Sequence, residues 1–262
     1  MTGEFKLKAY SLFSGSSGNC FFVEGENTKL LIDCGVSARS AEKALASLGV
    51  NLCDISAIFV THEHVDHTKG LEVISKRFHI PTYMTELTAR ALIHDPCASL
   101  LRDLYLFDGN YSVDIGEFHI KSFLTPHDSA RSVGYTVEKD GVKLGFATDM
   151  GCLRENVKEA LIGCRAALVE ANHDIVMLDM GPYPYDLKRR IKSERGHLSN
   201  DDCAELCRFL CENGTKSILL GHISKENNTP GLAVETVKGA LGNYPDVTVG
   251  AASSNEITEL II

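Results

Sequence analysis

The 262-residue chain has no apolar run approaching the roughly 20 residues that a membrane-spanning helix requires, and its start, MTGEFKLKAYS, carries charges where an export signal needs an apolar core. A cytoplasmic protein of bacterial type, without a membrane partner, is the expectation. The nine cysteines are odd in number and show no CxxC spacing, which argues against a disulfide framework or a zinc knuckle. Cys203, Cys207 and Cys211 recur every four residues, as core thiols on one face of a helix do. There is no GxGxxG fingerprint, no fixed-period repeat and no low-complexity linker. Excess positive charge is lacking too: 26 Lys and Arg face 35 Asp and Glu, a formal net charge of −9. So acidic a protein does not bind polyanions over its whole surface, and any nucleic-acid contact must be local.

What is present is 44% hydrophobic and only 7% aromatic residues, enough for one domain spanning 1–262 to bury a core. Short strands are expected at 6–13, 20–24, 29–33 and 57–60. A helix should follow Ser37 as N-cap, with Ala41, Ala44, Leu45 and Leu48 on its apolar face and Gly49 as its stop. Another helix is expected from Lys69 to Arg77 and a helical region over 86–105, broken at Pro96. Residues 111–148 read as a β meander with turns at DIGE and KDGVK. Helices resume near 152–162 and 199–213. Periodicity by itself supports only a mixed α and β fold.

The heptad THEHVDH, residues 61–67, follows the apolar run AIFV and concentrates metal-binding side chains. Neutral imidazole and carboxylate suit divalent first-row metals, and alternate spacing sends His62 and His64 the same way from an extended segment. Asp66 and His67 can then serve a second ion. A His-rich surface loop that binds metal adventitiously is the competing explanation. Against it, three further candidates each follow a β-like run: His127 after FHIKSFL, Asp149 after VKLGFA and His222 after KSILL.

With His and Asp in that order, the chain resembles the metallo-β-lactamase superfamily. The resemblance implies an αββα sandwich and a dinuclear site, with His62, His64 and His127 on one ion, Asp66, His67 and His222 on the other, and Asp149 bridging. Asp33 in LLIDCG resembles the aspartate that braces the ligand loop in many members. Zinc, manganese and iron all suit the donors; the absence of thiolate leads us to expect manganese to support turnover best.

Three more segments bear on substrate. SGSSGN, residues 14–19, offers Ser16, Ser17 and Asn19 as an anion-binding concavity, or is a flexible turn. Glu170 and His197, in LVEANHD and RGHLS, resemble the tRNase Z branch, which implies a carboxylate orienting a histidine general acid. His173 is a weaker candidate for that acid, and GHLS also reads as an ordinary helix entry. KRRIKSER, residues 188–195, gathers five basic side chains; Lys188, Arg189 and Arg190 are the candidates for phosphate contact, unless the run is only a solvated face.

Taken together, SGSSGN, LIDCG, THEHVDH, EANHD, GPYP, KRRI, GHLSN and GHISKENN resemble the bacterial YycJ/WalJ subfamily. That resemblance implies a DNA exonuclease degrading duplex DNA from a 5′ end, with Asp66 helping to orient the nucleophile. The gap from Asp149 to His222 is too short for a β-CASP insertion, which argues against endonucleolytic RNA processing of that type, although RNA stays open as a substrate. Two other readings remain at this level. One is a small-molecule hydrolase of lactones, thioesters or cyclic phosphodiesters; the other is a non-catalytic metal-binding regulator on the same scaffold.

Overall fold

A computed structural model of the chain describes residues 7–93 and 103–262. Two seven-stranded sheets form the centre. The first contains β1 (Lys8–Phe13), β2 (Cys20–Glu24), β3 (Lys29–Ile32), β4 (Ala57–Phe59), β5 (Thr82–Thr85), β6 (Leu104–Phe107) and the C-terminal β14 (Thr258–Leu260), in the order β14-β1-β2-β3-β4-β5-β6. The second contains β7 (Ser112–Ile115), β8 (Phe118–Leu124), β9 (Val133–Lys139), β10 (Val142–Ala147), β11 (Ala166–Glu170), β12 (Ser217–Gly221) and β13 (Thr248–Ala251), in the order β13-β12-β11-β10-β9-β8-β7. In both sheets one side is built from antiparallel neighbours, β14 to β3 and β7 to β10. On the other side, β3 to β6 and β10 to β13 run parallel.

Alternation along the strands explains the layering. In β3, Leu30 and Ile32 join Phe21, Phe59, Tyr135 and Phe146 between the sheets, while Leu31 faces outward under α1 (Ala38–Ser47). In β12, Leu219 turns inward, whereas Ile218 and Leu220 pack beneath the later helices. Successive side chains point to opposite faces, so a strand buried on both sides reads as a continuous apolar run. The outer layers are α1 and α3 (Leu71–Phe78) over the first sheet. Over the second lie α5 (Glu155–Leu161), α8 (Asn200–Glu212) and α9 (Pro230–Ala240). The architecture is an αββα sandwich. Among the described residues no helix is long and apolar enough to cross a membrane.

Ser37 caps α1 by accepting a hydrogen bond from the Ser40 amide, and Ser199 caps α8 through the Asp202 amide. Along α8, Cys203, Leu206, Cys207 and Leu210 are buried, and among the described residues every cysteine is free. The helix expected from Lys69 to Arg77 is present as α3, and a separate single turn, α2 (Val65–Thr68), precedes it. Gly70 stands at the break, donates to the Cys34 carbonyl and packs so closely that a Cβ would lie 2.4 Å from the Val36 carbonyl. The region expected to be helical through 105 contains α4 (Glu86–Ile93), but Leu104 and Tyr105 open β6. There the backbone pairs with β5 and Tyr105 stacks on Tyr83 at 4.7 Å, so tertiary pairing overrides local propensity. Pro96 lies outside the described residues.

Candidate metal centre

The candidate ligands sit where strands end. β4 stops at Phe59; His62 and His64 follow it, and Asp66 and His67 occupy the single turn of α2. His127 lies just beyond β8, Asp149 just beyond β10 and His222 immediately after β12, while Glu170 is the last residue of β11. Parallel strands open their carboxyl ends to a common crevice, which is where α/β sheets bind ligands. Three of these turns carry strain. Asp33, Asp149 and His222 have φ of 61°, 60° and 52°, the left-handed region that costs a non-glycine residue about 1–3 kcal/mol.

The donors converge. One group within 4.8 Å of one another comprises His62, His64 and His127, and another comprises Asp66, His67 and His222. Asp149 lies between them, with Oδ2 3.2 Å from His67 Nε2 and Oδ1 3.7 Å from His127 Nε2 and 3.6 Å from His222 Nε2. A further group joins Asp149 and His222 to Glu170 and His197.

Outer partners orient these rings. His67 Nδ1 donates to Asp33 Oδ2 at 2.7 Å, and Asp33 also accepts from the Thr61 amide and hydroxyl, each at 2.8 Å. Because the Thr61 hydroxyl donates to Asp33, its lone pair faces His62 Nδ1 at 3.0 Å. His127 Nδ1 donates to the Gly196 carbonyl at 3.0 Å, and His222 Nδ1 approaches Glu170 Oε1 at 3.2 Å. Holding Nδ1–H this way leaves Nε2 available to bind a metal.

Burial and neighbouring imidazoles hold His62 well below the usual imidazole range and His127 below it, so both are neutral donors. Burial also opposes charge on His67 and His222, but their carboxylate neighbours prevail. Asp149 and Asp33 push His67 up to about 10, and Asp149, Asp66 and Glu170 lift His222 well above its usual value. Asp149 is buried, yet His222 and His67 hold its carboxyl well below the usual range. A cation bound here must displace protons from the last two histidines. The donor set fits such a cation. His62 Nε2 is buried without a hydrogen-bond partner, a condition that costs about 1–3 kcal/mol when nothing satisfies it. Imidazole and carboxylate without thiolate match divalent zinc, iron and manganese alike.

Glu170 is fully buried and serves two histidines. Its Oε1 accepts from His197 Nδ1 at 2.7 Å and faces His222, while Oε2 accepts from the Met150 amide at 2.7 Å. Burial alone would raise its pKa; the charge and hydrogen bonds of His197 and His222 bring it down to about 2. His197 is one-fifth exposed, and its Nε2 has no protein partner among the described residues.

Residues 28–223 match the family described as the β-lactamase superfamily domain. The chain belongs to the metallo-β-lactamase superfamily. It is 36% identical over 230 residues to the exodeoxyribonuclease YycJ of Bacillus anthracis, covering 88% of this chain and 87% of that protein. It is 35% identical over 249 residues to the exodeoxyribonuclease WalJ of Streptococcus pneumoniae, covering 94% and 92%. The metallo-β-lactamase fold protein YhfI of Bacillus subtilis superposes with a TM-score of 0.72 over 97% of this chain and 99% of that one, at 13% identity. At that identity the likeness concerns the fold alone.

The substrate-facing candidates fare unequally in this metallo-β-lactamase sandwich. Ser16 and Ser17 are exposed on the loop after β1, but Asn19 is fully buried. Its side chain accepts from the Gly15 amide and lies 3.3 Å from the Asp66 carbonyl and 3.1 Å from His67 Nε2, so it braces the ligand loop and presents nothing to solvent. Lys188 Nζ donates to the Asp179 and Gly181 carbonyls, 2.8 and 2.7 Å away, and Arg190 is paired with Asp128. Arg189 alone of the three is exposed without a partner among the described residues. His173 is buried and its Nδ1 has no partner, so it presents no acid to the cleft.

Several residues at the centre lie within the sequence motifs but had no role assigned from sequence. Glu63 accepts from the Ala130 amide at 2.7 Å, tying the ligand loop to the loop of His127. Arg195 donates to the His127 and Ser129 carbonyls. Asn172 donates to the His222 carbonyl at 2.9 Å, and the Ser14 hydroxyl accepts from the His222 amide at 2.8 Å. Each sits inside a segment singled out from the sequence, but the partner that gives it a role lies far away along the chain and meets it only in the folded state.

Proposed function

We propose that this chain is a cytoplasmic, metal-dependent phosphodiester hydrolase, a single domain over 1–262 that degrades duplex DNA from a 5′ end. The observation carrying the reading is the Glu170–His197 pair set against the His and Asp cluster, in a chain whose similarity to two exodeoxyribonucleases runs across nearly its whole length. Two divalent ions, best manganese, would be held by His62, His64 and His127 and by Asp66, His67 and His222, with Asp149 shared. When bound, they supply Lewis-acid stabilisation of the phosphoryl oxygens and acidify the attacking water.

The protein groups divide the remaining work. Asp66, about one-quarter exposed at the cleft, accepts a hydrogen bond from the attacking water and orients its lone pair toward phosphorus. The new O–P bond forms as the opposite P–O bond breaks, and the departing oxygen takes a proton from His197 Nε2. Glu170 fixes the tautomer with Nδ1–H directed at itself and so aims Nε2 at the cleft, where a general acid is needed. Ser16, Ser17 and Arg189, all exposed, would contact the phosphate backbone.

The test is to follow product release from a duplex labelled separately at each end, with manganese-loaded protein and Asp66→Ala as control. Mononucleotides should leave the 5′ end first and be absent with the variant. Release from neither end would reject the nuclease reading, full activity of Asp66→Ala would reject the assigned role, and faster cleavage by zinc-loaded protein would reject the manganese preference.

A further inference from the structure

Between β11 and His197 the chain forms two short helices, α6 (Ile175–Met180) and α7 (Tyr185–Ile191), whose surface differs from the rest of the molecule. Tyr185, Arg189, Lys192 and Ser193 recur at i, i+4, i+7 and i+8 along α7 and its C-terminal turn, the spacing of one helical face. With Asp179 and Lys188 they line a pocket of about 530 Å³. Tyr185 is 76% exposed, although a tyrosine ordinarily buries much of its area. Lys192 pairs with Asp179, and Lys188 is engaged with carbonyls, so Arg189 remains the unpaired cation. Three positive groups against one carboxylate make the pocket locally cationic on a chain of net charge −9.

Its position relative to the metal centre is fixed by a tight turn. The Gly196 amide donates to the Ser193 carbonyl at 2.8 Å, so the two Cα atoms lie within about 7 Å, as in any such turn. Ser193 lines the pocket, and the Gly196 carbonyl holds His127 Nδ1. At a rise of about 3.4 Å per nucleotide, the pocket falls a few nucleotides from the site of cleavage.

We propose that this pocket is a subsite for unpaired DNA: Tyr185 stacks on a base of the strand being cut while Arg189 contacts its phosphates. The inference rests on the nuclease reading and adds to it that the enzyme engages a frayed end and not only intact duplex. An aromatic face beside cations is the combination that binds single strands, because every base can stack and every phosphate is charged. Intact duplex conceals its base faces and would use only the cations.

The experiment compares the parent protein with Tyr185→Ala, Tyr185→Phe and Arg189→Ala on a duplex carrying a short non-complementary 5′ end, on a blunt duplex and on the same tail in RNA. Bis(p-nitrophenyl) phosphate, too small to reach the pocket, is the control. Tyr185→Ala should raise KM for the tailed duplex about tenfold or more, the effect of losing one stacked base. Its kcat and its hydrolysis of the small diester should stay within about twofold of the parent. Tyr185→Phe should restore KM. Arg189→Ala should lower the slope of log affinity against log salt by about one. A parent that degrades DNA while Tyr185→Ala matches it on the tailed duplex would overturn the subsite, and a KM defect on RNA alone would overturn its assignment to DNA. A parent active on the small diester but on no nucleic acid would overturn the nuclease reading itself, and this inference with it.

Discussion

His197 differs from the other histidines of the centre in one respect that matters for chemistry: its inner nitrogen is held by Glu170 and its outer nitrogen is free. A general acid contributes typically 10²–10⁴-fold, and only where the leaving group needs a proton. His197→Ala is therefore expected to lower kcat on DNA by about that range and to leave hydrolysis of a p-nitrophenyl ester far less affected, since p-nitrophenolate departs unprotonated. Equal losses on both substrates would assign His197 a structural role. The histidines of THEHVDH announce themselves by spacing, whereas Glu170 and His197 are 27 residues apart and were paired only through the family resemblance. Their pairing depends on β11 delivering one side chain to the place where the turn before α8 delivers the other.

The ligand loop and α2 are held by close backbone packing as much as by hydrogen bonds. The Gly35 amide donates to the Asn19 carbonyl, and a Cβ on Gly35 would lie 1.6 Å from the Asp66 carbonyl oxygen. No rotamer change relieves a contact with backbone. Gly35→Ala is expected to displace α2 and to cost at least about tenfold in affinity for the metal at Asp66 and His67, comparable to losing an outer partner of a ligand. Titration with manganese or zinc, read by calorimetry, checks this; an unchanged affinity would show that α2 yields without consequence. Helices with clear caps, α1 and α8, were legible as elements from Ser37 and Ser199. The break at Gly70 and the strand at Leu104 were not, because each is imposed by a segment that meets it only in the folded state.

Across the whole molecule, the donors come from both sheets: His62, His64, Asp66 and His67 follow β4 of the first, and His127, Asp149 and His222 follow β8, β10 and β12 of the second. A cation bound there joins the two halves and stabilises the native state alone. Metal at a thousand times its Kd should add about 4 kcal/mol, seen as a higher Tm that a chelator reverses. A Tm indifferent to metal would contradict binding by the folded cluster. Away from the site the sheets are also joined by Glu117, which accepts from the Asn27 amide at 2.9 Å and from the Thr28 amide and hydroxyl. Slight burial raises its pKa, but those hydrogen bonds outweigh it and leave the carboxyl below the usual glutamate range. A depressed carboxyl stabilises the fold above its ordinary value, about 4.3, and the contribution disappears as pH falls through the lower folded value. Glu117→Gln should therefore lower Tm by about 2–4 °C at neutral pH, with the difference narrowing in acid. A difference independent of pH would mean that the ionised carboxylate is not the source.

By itself the sequence determined a mixed α and β fold, the strands that lead into the site and the candidate donors that follow them. These rest on local regularities: apolar runs, capping residues, and imidazoles and carboxylates at short spacing or directly after a strand. Tertiary structure alone decided which of the remaining polar groups face the cleft. Asn19, Lys188 and Arg190 have the chemistry of phosphate contacts, yet Asn19 is enclosed and the other two are engaged, while Tyr185, with no motif to mark it, stands exposed beside Arg189. The reason is that exposure and pairing depend on what packs against a residue, and the partners here are separated from it by as many as 62 positions.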